Sequence, residues 1–528
     1  MNDTRKRFPI TLASLAVVLA AGCSSSATQE QSAPSQPAPS TSSGAEKPAE
    51  EKPAAPAKIT IMGTDNTQPY PTSNTMNDPY FKYLGEKTNT EIVGQFLPHG
   101  NYADQLRINL AGGAKPDVIV EWTIAAVEDV LGELPLPLND LIDQYGPNLK
   151  KVIPQSAWDA VTRDGKIYAI PKTSTFGSTG SERVIYVRED WMKAVGFTEP
   201  PKTSDEFLDL LRAFRDQDPA GGGQTIPFSI RENITWGENI FGMFGFDHRF
   251  YSYVDGEYIP NIIHPKMKEA LAFWKTMVDE KLIDSEFLTL KGANWKQKIV
   301  SNRTGAFIHQ AKEDWTKNLI EANPDRNDPN AKFVAIPTPR APGVTGPVGN
   351  TEQPTAGVFV VTKYAKDPAA VVRLFDFMAS EEGMALTHLG VPELQHKKNA
   401  DGSYELNREE DAKYDNSKYR SSFYQVAASE NILKALYSHN PESLARLQVQ
   451  NELAAKEGFK NYFEPLFPSQ KTNPDLQHGG TMFKEMFTQI VYGKQPLDYF
   501  DKFVEDWKKQ GGAGVIKEAT EWYQQNRQ

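Results

Sequence analysis

Short apolar runs alternate along the chain with longer stretches in which apolar residues recur every three or four positions. The short runs have the length and composition of buried strands, and the longer stretches have the periodicity of helices that pack on one face. Two such helical stretches are 78–88 and 268–280. The strand-like runs are 58–62, 117–120, 184–187, 333–336 and 357–361. The alternation predicts an α/β fold in which helices cover the sheet faces, with helical patterns dominating after about residue 420.

One helix start carries a specific signal. Thr203 has a side chain that commonly caps helices, and Glu206 follows it by three positions, which is the spacing of a capping box. One apolar face then follows, made by Phe207, Leu208, Leu211 and Phe214. We expect a helix that packs against the core and takes no part in ligand chemistry.

The first 22 residues have the layout of a secretory signal. Three basic residues at positions 5–7 precede a mostly apolar run over 10–21. A bilayer crossing needs roughly 20 residues, so this run is too short for a permanent membrane span. We therefore expect residues 1–22 to be removed and the rest of the chain to be exported.

Cys23 is the only cysteine of the chain and stands at the end of this signal. The segment 19–23 resembles the lipobox of bacterial lipoproteins, in which the cysteine becomes the lipidated mature N-terminus, with palmitate among its acyl chains. Ala20 stands where the lipobox usually has leucine, and Leu19 lies one position further back. The resemblance implies a lipid anchor on the outer face of the cell membrane. The alternative is an ordinary secreted protein whose cysteine has no role.

Residues 23–57 read as a tether. From residue 24 onward this segment has no aromatic residue, valine, leucine or isoleucine, so it cannot bury enough apolar surface to fold. Its prolines favour extended polyproline conformations, which could span on the order of 100 Å. The folded part is predicted to begin at Lys58.

The charge of the chain restricts its partners. Removal of residues 1–22 takes away one aspartate, two arginines and one lysine, so the formal net charge changes from -11 to about -13. A negative surface argues against nucleic acid or anionic lipid as a partner. The mature chain has no second cysteine for an internal disulfide, so hydrophobic burial must stabilise it.

Six stretches, taken together, carry a family resemblance. They are KPDVIVEW (115–122), DGKIYAIP (164–171), VIYVREDWMKAVGF (184–197), SNRTGAFIH (301–309), LFDFMASEEG (374–383) and VYGKQPLDYFDKFVEDWKKQGG (491–512). In this order they resemble the type 1 extracellular solute-binding proteins of bacterial ABC importers, in particular the oligosaccharide-binding lipoproteins of Gram-positive bacteria. The resemblance implies a two-lobe periplasmic-binding-protein-like fold (type II, similar to maltodextrin binders) with a hinge and a ligand cleft between the lobes.

The resemblance also implies a division of the chain into lobes. The first lobe takes residues 58–173 and 334–390, and the second takes 184–333 and the helical part 391–528. The hinge falls on 174–183, whose glycines and small polar residues can absorb changes in φ and ψ.

The function implied by the resemblance is carbohydrate capture for import. A lipid-anchored monomer without a cofactor would bind a carbohydrate and deliver it to the permease subunits of an ABC transporter. The expected carbohydrate is an oligosaccharide. An oligopeptide-binding lipoprotein of an importer is one alternative. A secreted glycoside hydrolase is a less favoured one.

Tryptophans that follow strand-like runs are the candidates for sugar contact, because pyranose rings pack their C–H faces against aromatic side chains. Trp122 directly follows 117–120, and Trp315 follows another strand-like run. The family resemblance implies that both stack on the ligand. Trp236 is a third candidate, and packing in the core is the alternative for each.

Polar candidates for the sugar hydroxyls lie in two places. Arg231 and Glu232 stand in the same stretch as the third tryptophan, although an exposed ion pair would explain them equally well. Asp65, Asn66 and Tyr70 follow the first strand, in a loop from which family members often contact the ligand. Turn formation explains this second group equally well.

The remaining candidates are expected to be structural. Five tryptophans sit in helical patterns among apolar neighbours, namely Trp158, Trp191, Trp274, Trp507 and Trp522. Relatives carry a calcium loop at the position of 216–227, but Ala220, Gly222 and Thr225 replace ligands of the family pattern. Calcium needs six to eight oxygens, so we expect no tight metal site.

Catalytic signatures do not favour an enzyme. The chain has no G-x-S-x-G, H-E-x-x-H or P-loop motif, and its histidines show no metal-ligand spacing. A glycosidase needs only two carboxylates placed suitably in space, which the sequence alone does not exclude.

Overall fold

The computed structural model describes residues 55–65, 77–122, 131–173, 183–234, 236–310, 331–350, 355–414, 428–438, 441–460 and 464–526. They belong to one compact unit, Ala55–Gln528. The signal segment, Cys23, most of the tether and the predicted hinge up to residue 182 lie outside the described residues.

Among the described residues, the strands form two main sheets and three small hairpin sheets. In chain order they are β1 (Ala57–Thr64), β2 (Thr90–Leu97), β3 (Val118–Glu121), β4 (Thr162–Arg163), β5 (Lys166–Ile167), β6 (Ile170–Lys172), β7 (Arg183–Arg188), β8 (Ile226–Ser229), β9 (Tyr251–Val254), β10 (Glu257–Pro260), β11 (Thr304–Gln310), β12 (Phe333–Ile336), β13 (Gly357–Val361), β14 (His396–Lys398) and β15 (Tyr404–Leu406). All five predicted strands are present within this set.

The α-helices of the described residues surround these sheets. In chain order they are α1 (Pro79–Thr88), α2 (Tyr102–Ala111), α3 (Asn139–Tyr145), α4 (Pro147–Val152), α5 (Gln155–Ala160), α6 (Glu189–Ala194), α7 (Ser204–Gln217), α8 (Glu238–Gly242), α9 (Met267–Asp279), α10 (Gly292–Val300), α11 (Pro368–Met378), α12 (Glu381–Leu389), α13 (Arg408–Tyr414), α14 (Glu430–Leu436), α15 (Pro441–Glu457), α16 (Pro468–Thr472), α17 (Thr481–Val491), α18 (Tyr499–Trp507) and α19 (Ala513–Asn526). A π-helical turn, Lys508–Gly512, joins the last two.

The first sheet has the strand order β2–β1–β3–β13–β6. Strand β1 is parallel to β2 and β3, whereas β13 is antiparallel to β3 and β6. The apolar side chains of β13 pack with those of α1 and α11 in one hydrophobic core, because helices cover the sheet. This sheet and its helices form the first lobe.

The second sheet has the order β12–β7–β11–β8. Strand β7 is antiparallel to both β11 and β12, and β11 is parallel to β8. A separate core joins this sheet to helices of the middle and end of the chain, including Phe207, Trp274 and Phe487. Two cores, each built around its own sheet, define the two lobes.

The capping box predicted at Thr203 is confirmed. Its hydroxyl accepts a hydrogen bond from the Glu206 amide at 3.1 Å, and the Glu206 carboxylate accepts one from the Thr203 amide at 3.3 Å. Helix α7 then buries the predicted apolar face.

The lobe boundaries differ from the predicted ones in two places. Strand β12 pairs with β7, so residues 334–336 belong to the second lobe rather than the first. Strand β15 and helix α14 pack on Met384 and Leu389 of α12, so this stretch extends the first lobe. The chain contacts the second lobe again in α15, where Ala454 packs beside Tyr186, and the predicted start of that segment at 391 is therefore too early.

The tryptophans expected in the core are there. Trp158, Trp191, Trp274 and Trp507 are buried, and Trp522 is partly buried against the second core. No described helix is long and apolar enough to span a membrane.

Candidate functional site

One edge of the first sheet collects chemically active side chains. The parallel strands β1, β2 and β3 all end there. Asp65 directly follows β1, His99 lies two positions after β2, and Trp122 directly follows β3. Strand β13 begins and β6 ends at the same edge, because Val358 pairs with Glu121 and Gly357 with Lys172. Loops at the carboxyl ends of parallel strands are where α/β sheets usually bind ligands. We call Asp65, His99, Glu121, Trp122 and Lys172 the first rim.

One edge of the second sheet collects a matching set. Strand β7 begins at Arg183, and the antiparallel β11 ends beside it, with His309 opposite Val184. Strand β8 runs parallel to β11 and is followed at the same edge by Arg231 and Glu232. We call Arg183, Arg231, Glu232, Trp236 and His309 the second rim.

One residue of the first rim, His99, lies near one residue of the second rim, Arg231. Burial lowers the pKa of His99 on the first rim, and the positive charge of Arg231 on the second rim lowers it further. Such an electrostatic effect requires proximity, because water and salt screen charges that are far apart. The first and second rims therefore approach each other at His99 and Arg231.

Trp122 is the exposed aromatic side chain of the first rim. It is 40% exposed, which is unusual for a tryptophan directly after a buried strand. The His99 ring packs edge-on against it at 6.1 Å, and the Lys172 ammonium lies 5.9 Å from its ring centroid. An aromatic face that is held in place yet open to solvent can stack on a sugar ring.

Glu121 and Lys172 form a buried pair beside this tryptophan. Burial raises the pKa of Glu121 to about 7. The hydrogen bond from the Trp122 amide and the positive charges of Arg107 and Lys172 act in the opposite direction and lower it. Burial lowers the pKa of Lys172 to about 7, with Glu121 opposing. When the pair holds one titratable proton, it is either a carboxylate with an ammonium or a carboxylic acid with an amine. Its net charge is zero in both cases, so it adds no net charge to the first rim.

Trp236 is placed on the second rim but is only 8% exposed. Its ring stacks on His309 at 4.4 Å with an angle of 8°, and the Arg183 guanidinium lies 4.6 Å from its centroid. Its φ of 71° is in the left-handed region, which costs ~1–3 kcal/mol for such a residue and is often found at functional sites. A ligand could reach this ring by its edge, because His309 and Arg183 cover it.

Arg231 and Glu232 are neighbours on the second rim without a hydrogen bond between them. The Arg231 Nε and a Glu232 carboxylate oxygen are 3.8 Å apart, and both atoms are buried with no hydrogen-bond partner among the described residues. Lys291 lies 3.9 Å from the other oxygen of Glu232. The Arg231 and Glu232 side chains are 28% and 18% exposed, so a ligand can reach part of each of them.

Of the other predicted site residues, the structure describes Asp65. Its carboxylate accepts a hydrogen bond from the His99 amide at 3.0 Å. Asn66, Tyr70 and Trp315 lie outside the described residues, so their roles stay predictions.

The carboxylates of the loop 216–227 are engaged by other groups of the protein. The Asp218 carboxylate accepts hydrogen bonds from the Gly223 amide at 2.6 Å and the Thr225 hydroxyl at 2.7 Å. The Asp216 carboxylate binds Arg215 at 2.6 Å. Protein donors thus occupy both carboxylates, and the part of the chain that the structure describes holds no cluster of three metal-ligating side chains.

Sequence reasoning missed five residues of the rims: His99, Glu121, Lys172, Arg183 and His309. Charged residues at strand ends usually lie in solvent, so nothing in the local pattern marked Lys172 or Arg183 as buried partners of tryptophans. A signal for Glu121 was its position between a buried strand and Trp122. His99 had no such signal, because the strand before it was not predicted.

Two α/β lobes, each with its own sheet and core, define a two-lobe protein of the periplasmic-binding-protein fold. The family model described as bacterial extracellular solute-binding protein matches residues 72–385. The chain belongs to this family, whose members bind solutes and are not enzymes.

Three comparisons show how this chain relates to known members. The lipoprotein LipO of Bacillus subtilis (strain 168) is 25% identical over 488 residues, which cover 87% of this chain and 91% of LipO. The polygalacturonan/rhamnogalacturonan-binding protein YtcQ of the same organism is 23% identical over 470 residues, or 85% of this chain and 88% of YtcQ. The Streptococcus pneumoniae ABC-transporter substrate-binding protein FusA, an EF-hand mutant in complex with fructo-nystose, has a similar structure, with a TM-score of 0.68, 18% identity and coverage of 89% and 99%.

Proposed function

We propose that this chain captures an oligosaccharide in the cleft between the two rims and delivers it to the permease of an ABC importer. The observation that carries the proposal is Trp122, an exposed aromatic ring that His99 and Lys172 hold at the mouth of the cleft. Arg231 and Glu232, two partly exposed residues of the second rim, would supply polar groups for the sugar hydroxyls. YtcQ and FusA, by their names and bound ligand, take oligosaccharides or polysaccharides, which agrees with this class of ligand.

The mechanism of capture follows from the two separate cores. Each lobe keeps its own sheet rigid, so the lobes can change their mutual angle through the connections between them. A ligand that contacts both rims binds the closed arrangement better than the open one and shifts the population toward it. The closed form would then dock on the permease.

The membrane anchor is the second part of the proposal. Cys23 with its lipobox-like surroundings would carry the acyl chains, and the segment 23–57 would tether the folded unit to the outer face of the membrane. The relative LipO carries the name lipoprotein, which supports this part.

Oligosaccharide binding is expected to raise the thermal unfolding temperature of the protein. Stabilisation should correspond to a few kcal/mol when the ligand is present at 100 times its dissociation constant or more. Thermal shift and calorimetry against panels of oligosaccharides and short peptides would measure it, with analysis of the sugars afterwards. Stabilisation by peptides alone would contradict the carbohydrate assignment, and cleavage of a sugar would contradict the binding-protein mechanism.

Replacement of Cys23 by alanine is expected to release the protein from the membrane. Without the thiol no acyl chain can be attached, so the variant should appear in the culture medium rather than in the membrane fraction. Metabolic labelling with a palmitate analogue and cell fractionation would test this. A variant that stays membrane-bound and labelled would overturn the anchor assignment.

A further inference from the structure

Arg231 of the second rim carries hydrogen-bond donors that the described part of the protein does not use. Its guanidinium makes no hydrogen bond with the described residues, and Glu232 comes only to 3.8 Å from its Nε. The Nε is buried, whereas the two terminal nitrogens keep contact with solvent. These two nitrogens carry four N–H donors in one plane. A ligand can therefore bind them without breaking a hydrogen bond of the protein.

The guanidinium of Arg231 lies against the backbone of Gly292, the first residue of α10. A Cβ atom at this position would lie 2.8 Å from the terminal Nη2 of Arg231 and 2.9 Å from its Cζ. Favourable contacts between such atoms are about 3.5–4.0 Å, so any larger residue at position 292 would overlap the guanidinium. The guanidinium also lies 5.9 Å from the centroid of the Trp236 ring. Arg231 thus occupies a space that a side chain at position 292 would fill.

The backbone beside this contact is fixed, so movement of the guanidinium is the easiest way to relieve such an overlap. The Glu232 amide donates a hydrogen bond to the Leu290 carbonyl at 3.0 Å, which ties the chain next to Arg231 to the chain next to Gly292. Leu290 is 3% exposed and packs in one hydrophobic cluster with Trp295 of α10. The arginine side chain, in contrast, can change its rotamer.

The backbone conformation of Gly292 does not itself require glycine. Its φ lies outside the left-handed region in which other residues are strained. Alanine has a higher helix propensity, and replacement of glycine by alanine at an unstrained position usually stabilises a protein. The backbone therefore gives no reason for glycine at this position, whereas the contact with Arg231 does.

We propose that Gly292 is a positioning residue of the binding site, because it leaves room for the Arg231 guanidinium beside Trp236, where the terminal N–H groups bind ligand oxygens. The inference rests on the proposed function and deepens it by naming a residue that acts on the ligand only through another. Arg231 is also the residue of the second rim that lies near His99 of the first rim. Its displacement would change the site at the point where the two rims approach each other.

A double-mutant cycle tests the proposal with two measurements. The proteins are the mature wild-type chain, Gly292→Ala, Arg231→Ala and the variant with both changes. Calorimetry in detergent would give the affinities for nystose, maltotetraose, xylotetraose and tetragalacturonate, and thermal unfolding without ligand would give the stability. Gly479→Ala is the matched control, because its φ is not left-handed and a Cβ there would meet no other described part of the chain within 4 Å.

The affinities should show that Gly292 acts through Arg231. Arg231→Ala should weaken binding of the tightest-binding glycan about ten- to hundredfold, the range of hydrogen bonds from a charged group. Gly292→Ala should weaken it at least about threefold, since the displaced guanidinium loses part of these bonds. When Arg231→Ala is already present, Gly292→Ala should change the affinity by less than about twofold, because no guanidinium remains to be displaced. Gly479→Ala should leave the affinity unchanged.

The thermal unfolding temperatures should show the same dependence without any ligand. In the Arg231→Ala background, Gly292→Ala should raise the unfolding temperature, because the new methyl group overlaps no guanidinium and alanine favours the helix. In the wild-type background the rise should be smaller or reversed, because the methyl group must displace the guanidinium.

Three results would overturn the inference and leave the proposed function intact. The first is a glycan whose affinity Gly292→Ala lowers by the same factor with and without Arg231→Ala. The second is a glycan that binds all four proteins of the cycle equally well. The third is an equal rise of the unfolding temperature in both backgrounds. If none of the four glycans binds while a peptide does, the proposed function fails, and the role of Gly292 in glycan binding fails with it.

Discussion

Replacement of Glu238 by alanine is expected to lower the free energy of unfolding by about 3–5 kcal/mol, the loss typical of one partner removed from a buried ion pair. Glu238 lies in α8 and is only 3% exposed. It forms an ion pair with Arg183 and lies 3.5 Å from Arg249, which in turn binds Asp247 at 2.8 Å. Without the Glu238 carboxylate, Arg183 would lose this ion pair and Arg249 would keep the one with Asp247.

The protonation state of Glu238 supports this expectation. Burial alone would raise its pKa, yet Arg183 and Arg249 hold the pKa below its usual range, so the carboxylate is charged at pH 7. The charge therefore matters more than the volume of the side chain. Glu238→Gln, which keeps the shape, should lose most of the same free energy.

Urea denaturation of the mature chain would measure both variants against a matched control. Glu430 forms an ion pair with Lys434 at 2.6 Å, but both side chains are more than half exposed. Glu430→Ala should therefore change the free energy of unfolding by no more than about 0.5 kcal/mol. A Glu238→Ala variant within about 1 kcal/mol of the wild type would show that the buried charges rearrange and find other partners.

Buried charge in this lobe also acts on the binding cleft. Arg183, which Glu238 holds in place, is the first residue of β7 and lies over the Trp236 ring. The same ring stacks on His309, which in turn stacks on Trp295 at 5.6 Å. The order of the second rim therefore depends on Glu238, a buried residue that is not itself part of the rim.

The sequence pattern predicted well a strand that is buried throughout and a helix with one regular apolar face. Strand β13 reads GVFVV and is buried throughout, and the predicted helix 268–280 agrees with α9 to within one residue at each end. Continuous apolar runs are visible in the sequence because every position of such a strand faces other protein atoms. The capping box at Thr203 was predictable for a different reason, since its hydrogen bonds are local.

Strand β2 was missed because it lies at the edge of its sheet. Its buried positions, Thr90 and Ile92, alternate with partly exposed ones, and Gly94 interrupts the pattern. Half-exposed strands of this kind give a weak apolar signal. Because His99 follows this strand, its place in the candidate site could not be predicted either.

Lobe membership could not be predicted from local pattern at all. The run 333–336 was recognised as a strand, but whether it pairs with β7 or with β3 depends on contacts between residues far apart in sequence. Likewise, the helices after residue 390 show apolar faces, but the sequence does not show that α14 packs on α12. Local pattern predicts elements, and tertiary contacts decide where they go.

The exposed position of Trp122 leads to the second large expected effect. Trp122→Ala should weaken binding of the tightest-binding oligosaccharide by about 1–3 kcal/mol, or about 5- to 150-fold, because an aromatic anchor in a cleft contributes on this scale. Calorimetry with the mature chain would measure the change. Tyr492 is 41% exposed on the second lobe, packs against Phe287, and serves as a control of equal exposure. Tyr492→Ala should leave the affinity unchanged.

The stability of Trp122→Ala must be measured beside its affinity, because the ring also covers a buried charge. The Lys172 ammonium lies 5.9 Å from its centroid, and removal of the ring would let water reach the Glu121–Lys172 pair. Trp122→Phe keeps an aromatic face over Lys172, so it should retain stability and recover part of the binding. If Trp122→Ala is folded and binds as tightly as the wild type, Trp122 does not stack on the ligand. Stacking would then have to come from Trp315 or from the edge of Trp236, while the two-lobe binding mechanism would remain.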